Sequence, residues 1–139
     1  MSVPVSQRCE AKLDVFTLTL ELVNYTLQIT TNETVFLPKF RNALTDDIIR
    51  QAKDIYINAW SANGIYVDKS RTDFITKRQE RFRLQELSIQ GCNNMFALIQ
   101  MAHKVFHLKG KRVKYWANKV ANCKTKLIAW HKKDIERFN

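Results

Sequence analysis

Glycine and proline are scarce in this chain of 139 residues, which contains three Gly and two Pro. β-Sandwiches and barrels need many tight turns, so this scarcity argues against both architectures and favours long, uninterrupted helices. Hydrophobic residues make up 45% of the chain, which is enough for a core and excludes a disordered basic tail. The length is typical of one domain, and neither a linker nor a repeat divides the sequence. We therefore predict a single domain over residues 1–139.

Targeting and membrane signals are also missing. The first residues lack the apolar segment of a signal peptide, and no apolar run approaches the roughly 18 residues needed to span a membrane. Cys9, Cys92 and Cys123 are an odd number of cysteines, lie far apart and form no Cys-x-x-Cys pair, which is typical of reduced thiols. We expect a cytoplasmic protein with no membrane partner.

Catalytic motifs are absent from the sequence. There is no Gly-rich phosphate loop, no Gly-x-Ser-x-Gly elbow and no His-Glu-x-x-His pattern. His103 and His107 are four residues apart and could face one metal ion, but a third ligand is not evident. Small helical nucleases of the HEPN type carry an Arg shortly before a His, and no His of this chain has one at that spacing. We predict a binding protein without catalytic residues, metal or cofactor, and a nuclease is the remote alternative.

Positive charge is concentrated near the C-terminus. Residues 101–139 contain eleven Lys and Arg against two acidic residues, a balance of +9, whereas residues 1–100 have a balance of +1. Four of these cations recur every seven residues and are called the basic stripe below: Arg112, Lys119, Lys126 and Lys133. On a helix this spacing keeps them on one side, with ~20° of drift per heptad. Such a row suits a nucleic acid, although a solvated face or a site for an acidic protein would look the same.

Hydrophobic spacing predicts four helices, at about residues 10–31, 45–63, 72–108 and 111–137. The fourth has a seam with steps of three and four residues: Val113, Trp116, Val120, Cys123, Leu127 and Trp130. The second has Thr45 as its expected N-cap, and Gly110 is the expected break before the fourth. Gly91 in the third costs about 1 kcal/mol relative to Ala and predicts either a close helix crossing or a bend. A second apolar face of the third helix is a candidate subunit contact: Phe82, Ile89, Phe96 and Phe106.

The first segment fits two patterns. Phe16, Leu18, Leu20 and Leu22 alternate with polar residues, as in a β-strand. A helical pattern fits equally well: Leu13, Phe16, Leu20, Val23 and Leu27. A strand would need partners that the rest of the chain does not supply, so we predict a helix. Four helices with short connections predict an all-α, up-down four-helix bundle.

Three groups of residues carry a resemblance to a known family. They are the link Phe36-Leu37-Pro38-Lys39-Phe40-Arg41 with Leu44, the arginines that open the third helix (Arg78, Arg81 and Arg83), and Leu127-Ile128-Ala129-Trp130. In a basic four-helix chain, over residues 11–133, they resemble the accessory variability determinant proteins of diversity-generating retroelements. The same superfamily contains the four-helix proteins encoded in ribosomal-RNA intervening sequences, whose structural or RNA-interaction role is the alternative.

The resemblance implies a specific role for this chain. Proteins of that family form homopentameric barrels, bind RNA and DNA with little sequence specificity, and associate with a reverse transcriptase during mutagenic copying of a template RNA (mutagenic retrohoming). They have no catalytic centre, and they act in bacterial, archaeal or phage-infected cells. Carried to this sequence, the nucleic-acid surface comprises the basic stripe, Lys111, Lys114 and Arg137, with Tyr115 as a residue that could stack on an unpaired base. A second patch would comprise Lys77, Arg78, Arg81 and Arg83.

Overall fold

The computed structural model describes the backbone of residues 5–139 and the side chains of residues 14–139. Its four helices are α1 (Val5–Thr30), α2 (Asp46–Asn63), α3 (Phe74–Phe106) and α4 (Gly110–Arg137). Each helix packs against the next, and α4 packs against α1. Neighbouring helices run in opposite directions: Asp14 early in α1 meets Lys126 late in α4, and Thr26 meets Trp116. The prediction of an all-α four-helix bundle is confirmed, and no strand occurs in the described backbone.

The seam predicted in α4 is the interior of the bundle. All six of its residues are buried, and Trp116, Val120, Cys123 and Leu127 are completely inaccessible to solvent. Burial of apolar surface stabilises a fold by about 25 cal/mol per Å², and burial of this seam is the main force that holds α4 in place. The basic stripe borders the seam and does not interrupt it, so the same packing fixes the position of the stripe.

Helix α1 is confirmed as a helix, but a different face of it points inward from the one predicted. Thr19, Thr26 and Thr30 are buried, whereas Leu20 and Leu27 remain half exposed. The hydroxyls of Thr19 and Thr30 donate to the carbonyls of Val15 and Thr26, each at 2.7 Å. A threonine whose hydroxyl is satisfied by its own helix can bury its methyl group as an apolar residue does. The side chain of Leu13 lies outside the described residues.

The start of α2 differs from the prediction that Thr45 is its N-cap. The chain turns through a 3₁₀ helix (Pro38–Phe40) and a π-helical turn (Arg41–Thr45) that runs directly into α2. Thr45 therefore has helical dihedral angles (φ −58°, ψ −45°) and makes no capping hydrogen bond. The first turn of α2 carries Asp46 and Asp47, which favour the positive end of the helix dipole. The N-cap prediction was wrong because the helical path begins before Thr45.

Gly91 marks a close crossing of α3 and α2, one of the two predicted alternatives. A Cβ atom at this position would lie 2.8 Å from Cγ1 of Ile55 and 2.9 Å from Nε2 of Gln51. Beside the crossing, the Ser88 hydroxyl donates to the Ile55 carbonyl at 2.7 Å. The two helices approach closely here because α3 has no side chain at Gly91.

The end of α3 alters two predictions. The chain reverses at His107, whose φ of 52° and ψ of 47° are left-handed, and Gly110 is already the first residue of α4. Phe106 is buried against Phe36, with ring centroids 4.8 Å apart, so it belongs to the core and not to a subunit contact. The other three residues of that predicted face, Phe82, Ile89 and Phe96, are half-buried.

The two cysteines with described side chains, Cys92 and Cys123, are fully buried and free of disulfides. Burial raises the pKa of each thiol to about 12, so both stay protonated at neutral pH. The side chain of Cys9 lies outside the described residues. None of the helices, over the residues described, combines the length and apolarity that a membrane span requires.

Candidate nucleic-acid interface

Lys119 and Lys126 of the basic stripe contact α1, at Tyr25 and Asp14 respectively. Lys126 is exposed, whereas Arg112, Lys119 and Lys133 are half-buried, with part of each side chain covered by the bundle. Partial burial of this kind is expected of long basic side chains, whose methylene groups can cover apolar surface while the charge stays in water. The seam beneath the stripe fixes its orientation relative to α1.

Two tyrosines contact the middle of the stripe. Nζ of Lys119 lies 4.9 Å from the ring centroid of Tyr115 and 5.5 Å from that of Tyr25. The two rings are edge to face, with centroids 5.2 Å apart and an interplanar angle of 65°. An ammonium group within about 6 Å of an aromatic ring is attracted by its electron density. The contacts hold Lys119 and Tyr115 in a defined arrangement.

Tyr25 also belongs to this site, although no sequence pattern pointed to it. It lies on α1 and is half-buried, and Tyr115 on α4 is 54% exposed. Burial raises the pKa of Tyr25 above its ordinary value of 10.0, while the nearby positive charge of Arg112 lowers it in part. The hydroxyl is therefore protonated at neutral pH. The proximity of Tyr25 to Arg112 could not be predicted from the sequence, because it depends on how α1 packs against α4.

The stripe is partly neutralised at one point. Nζ of Lys126 lies 3.4 Å from Oδ2 of Asp14, and both side chains are about half exposed (47% and 52%). An exposed pair of this kind contributes about 0–1 kcal/mol, so a phosphate could replace the carboxylate at little cost.

The predicted flanking residues occupy the two ends of α4. Lys111 and Lys114 are exposed near its start. Arg112 there lines a cleft of about 300 Å³ together with His107 and Lys109, which extends the cationic surface around the α3–α4 corner. Arg137 lies at the other end, with Nη1 4.0 Å from Asp134 and its guanidinium 4.3 Å from the ring of Phe138.

Arg81 does not lie on the surface, so this part of the predicted second patch was wrong. Its side chain is 5% exposed, and its Nε donates to Oδ2 of Asp134 at 2.7 Å. Nη1 donates to the carbonyls of Ala62 and Ile65, at 3.4 and 3.1 Å. The Gln85 amide donates to the same Asp134 oxygen at 2.7 Å. Arg81 therefore ties α2, α3 and α4 together inside the bundle.

The remaining residues of the second patch differ in their exposure and in their partners. Arg78 is half-buried and donates to the Phe138 carbonyl at 3.3 Å, which brings it to the C-terminal end of α4 near Arg137. Lys77 is half-buried and lies 3.8 Å from Glu80, and Arg83 is exposed. Arg78 thus lies beside the end of α4, and the buried Arg81 is excluded from the predicted second patch.

The histidines lie in two separate places, two at the end of α3 and one on α4. His103 is half-buried and His107 exposed at the end of α3, whereas His131 lies on α4, 2.6 Å from the Gln85 side chain. Within residues 14–139, no three His, Cys, Asp or Glu side chains are close enough together to hold a metal ion.

Comparison with known proteins finds no matching family model, no matching curated protein and no matching solved structure. The resemblance to accessory variability determinants therefore stays a prediction from the sequence.

Proposed function

We propose that this protein is a non-enzymatic nucleic-acid-binding accessory protein, which holds template RNA and its cDNA copy for the reverse transcriptase of a diversity-generating retroelement. One observation supports nucleic-acid binding above all: the middle of the basic stripe borders α1, and two tyrosines contact Lys119 there. The reverse transcriptase as partner, and mutagenic copying as the process, rest on the resemblance of the sequence.

Electrostatics favour a phosphate backbone as the ligand of this surface. The chain carries a net charge of +10, and +9 of it falls in residues 101–139. Cations that contact phosphates release counterions, so affinity falls with salt in proportion to the number of contacts. Contacts of this kind require no particular base sequence, which suits a protein that accompanies a polymerase along a template.

The test compares two variants of equal charge. The stripe variant changes Arg112, Lys119, Lys126 and Lys133 to Glu. The control changes four exposed lysines on α2, α3 and the connections: Lys39, Lys53, Lys69 and Lys104. Each set replaces four positive charges by four negative ones, so the net charge falls from +10 to +2 in both. Circular dichroism and thermal melting first establish that both variants fold.

Fluorescence anisotropy of a labelled single-stranded RNA is then measured against salt. The stripe variant should lose tight binding, with a log–log salt slope shallower by about 3, because each phosphate contact to a single strand contributes roughly 0.7. The control should keep most of the wild-type slope. Equal weakening of both variants would mean that net charge alone attracts RNA, and binding unchanged in both would refute the proposal.

Self-association as a homopentamer forms part of the same proposal. Two apolar faces favour it: the half-buried Phe82, Ile89 and Phe96 on α3, and an aromatic cluster where Trp60, 61% exposed, packs against Phe16 and Tyr56. Light scattering should give a mass near five chains, and the mass of one 16.4 kDa chain would refute it. A reverse-transcriptase gene next to paired template and variable repeats in the genome would support the retroelement assignment.

A further inference from the structure

We propose that Tyr115, held by Tyr25 and Lys119, is a stacking site for an unpaired nucleobase, so that the surface binds single strands in preference to duplexes. This inference rests on the proposed function, because it specifies which form of nucleic acid the basic stripe accepts. It concerns the bases, whereas the stripe alone would recognise only phosphates.

The position of the Tyr115 ring is the first argument. The residue is 54% exposed, so part of its surface is open to a ligand. The same ring is contacted by the ring of Tyr25 at 5.2 Å and by Nζ of Lys119 at 4.9 Å. A solvent-exposed tyrosine that is held on two sides loses little conformational freedom when a base stacks on it, and this raises affinity.

The position of the ring within the stripe is the second argument. Lys119 has Arg112 seven residues before it and Lys126 seven residues after it, each about 10 Å away along the helix axis. A strand whose phosphates follow these cations passes beside Tyr115, because the Tyr115 ring contacts Lys119. Aromatic platforms beside a cationic groove bind single strands of any sequence, since every base has a face that can stack.

Duplexes cannot use this ring in the same way. Their bases are already stacked and paired, and exposing one costs several kilocalories per mole in unstacking. A duplex would therefore gain only the phosphate contacts of the stripe. A preference for unpaired bases fits a protein that meets a template while it is being copied.

The experiment uses three labelled ligands of equal length: an oligo-dU strand, the same backbone with abasic residues throughout, and a duplex. Wild-type protein should bind oligo-dU about tenfold more tightly than the abasic strand, and more tightly than the duplex. Tyr115→Ala should remove this difference, because the ratio of the two affinities measures stacking, whereas Tyr115→Phe should preserve it. Tyr66→Ala is the matched control, because Tyr66 is also exposed (70%) but lies in the α2–α3 connection.

Each outcome decides between the two proposals. If the stripe variant loses binding but Tyr115→Ala binds oligo-dU as the wild type does, stacking is refuted and the proposed function stands. Equal weakening of oligo-dU and abasic binding by Tyr115→Ala would also refute stacking. If the stripe variant binds normally, the proposed function itself fails.

Discussion

Breaking the buried ion pair between Arg81 and Asp134 should destabilise the bundle strongly. We expect Arg81→Met and Asp134→Ala, made separately, each to lower the free energy of unfolding by about 3–5 kcal/mol. The two side chains are only 5% and 3% exposed, so removal of one leaves the other charge buried. Asp134 would keep the Gln85 amide at 2.7 Å, and Arg81 would keep the carbonyl of Ile65 at 3.1 Å. These remaining bonds place both variants near the lower end of the range.

The double variant distinguishes charge pairing from loss of packing. It removes both charges, so its destabilisation should be smaller than the sum of the single effects by about 2–3 kcal/mol. Urea unfolding, followed by circular dichroism at one protein concentration, measures all three variants. Arg83→Met, an exposed position on the same helix, is the control and should change stability by less than about 0.5 kcal/mol. If the effects of the two single substitutions add in the double variant, the energetic coupling of Arg81 and Asp134 is refuted. If folded Arg81→Met shows a shallower salt slope for RNA binding, the conclusion that Arg81 lies outside the interface is contradicted.

Two further predictions concern other buried positions. Gly91→Ala should lower the free energy of unfolding by about 1 kcal/mol, because overpacking against Ile55, 2.8 Å from the new Cβ, outweighs the gain in helix propensity. Gly110→Ala, with open space around its new Cβ, should not destabilise, and equal urea midpoints for the two variants would contradict the close crossing. The thiols of Cys92 and Cys123 have pKa values raised from 9.0 to about 12 in the folded protein. Above pH 9 the folded protein therefore keeps protons that the unfolded chain releases. The free energy of unfolding should fall as the pH rises above 9, by up to about 1.4 kcal/mol per pH unit for each thiol. A variant with both cysteines changed to Ala should lose less stability between pH 9 and 10.5, and parallel curves would refute this account.

Hydrophobic periodicity predicted α4 well and the inner face of α1 poorly, for one physical reason. The seam of α4 contains only apolar residues and Cys123, so spacing alone identifies it. The interior of α1 includes Thr19 and Thr26, which count as polar in a pattern but are buried once their hydroxyls find partners. The pattern therefore selected Leu20 and Leu27, which remain half exposed.

Only those features of the candidate site that lie within a single helix could be predicted from the sequence. The heptad spacing of the basic stripe is a local property of α4, and the sequence displays it directly. The burial of Arg81 depends on Asp134, 53 residues away, and the contact of Tyr25 with Lys119 depends on the pairing of α1 with α4. The sequence alone does not distinguish an arginine that is exposed to solvent from one that pairs with a buried carboxylate.

The hydrogen bond between Trp116 and Thr26 contributes to the register of α1 along α4, and so to which residues of α1 the basic stripe meets. Nε1 of Trp116 donates to the Thr26 hydroxyl at 3.1 Å, deep in the bundle. Sliding α1 by one turn would move the hydroxyl about 5.4 Å away and leave a buried N–H unsatisfied, at a cost of about 1–3 kcal/mol. The same slide would separate Tyr25 from Lys119 and Asp14 from Lys126. A polar contact in the interior thus helps to maintain the register of two helices, and the chemical character of the outer surface depends on that register.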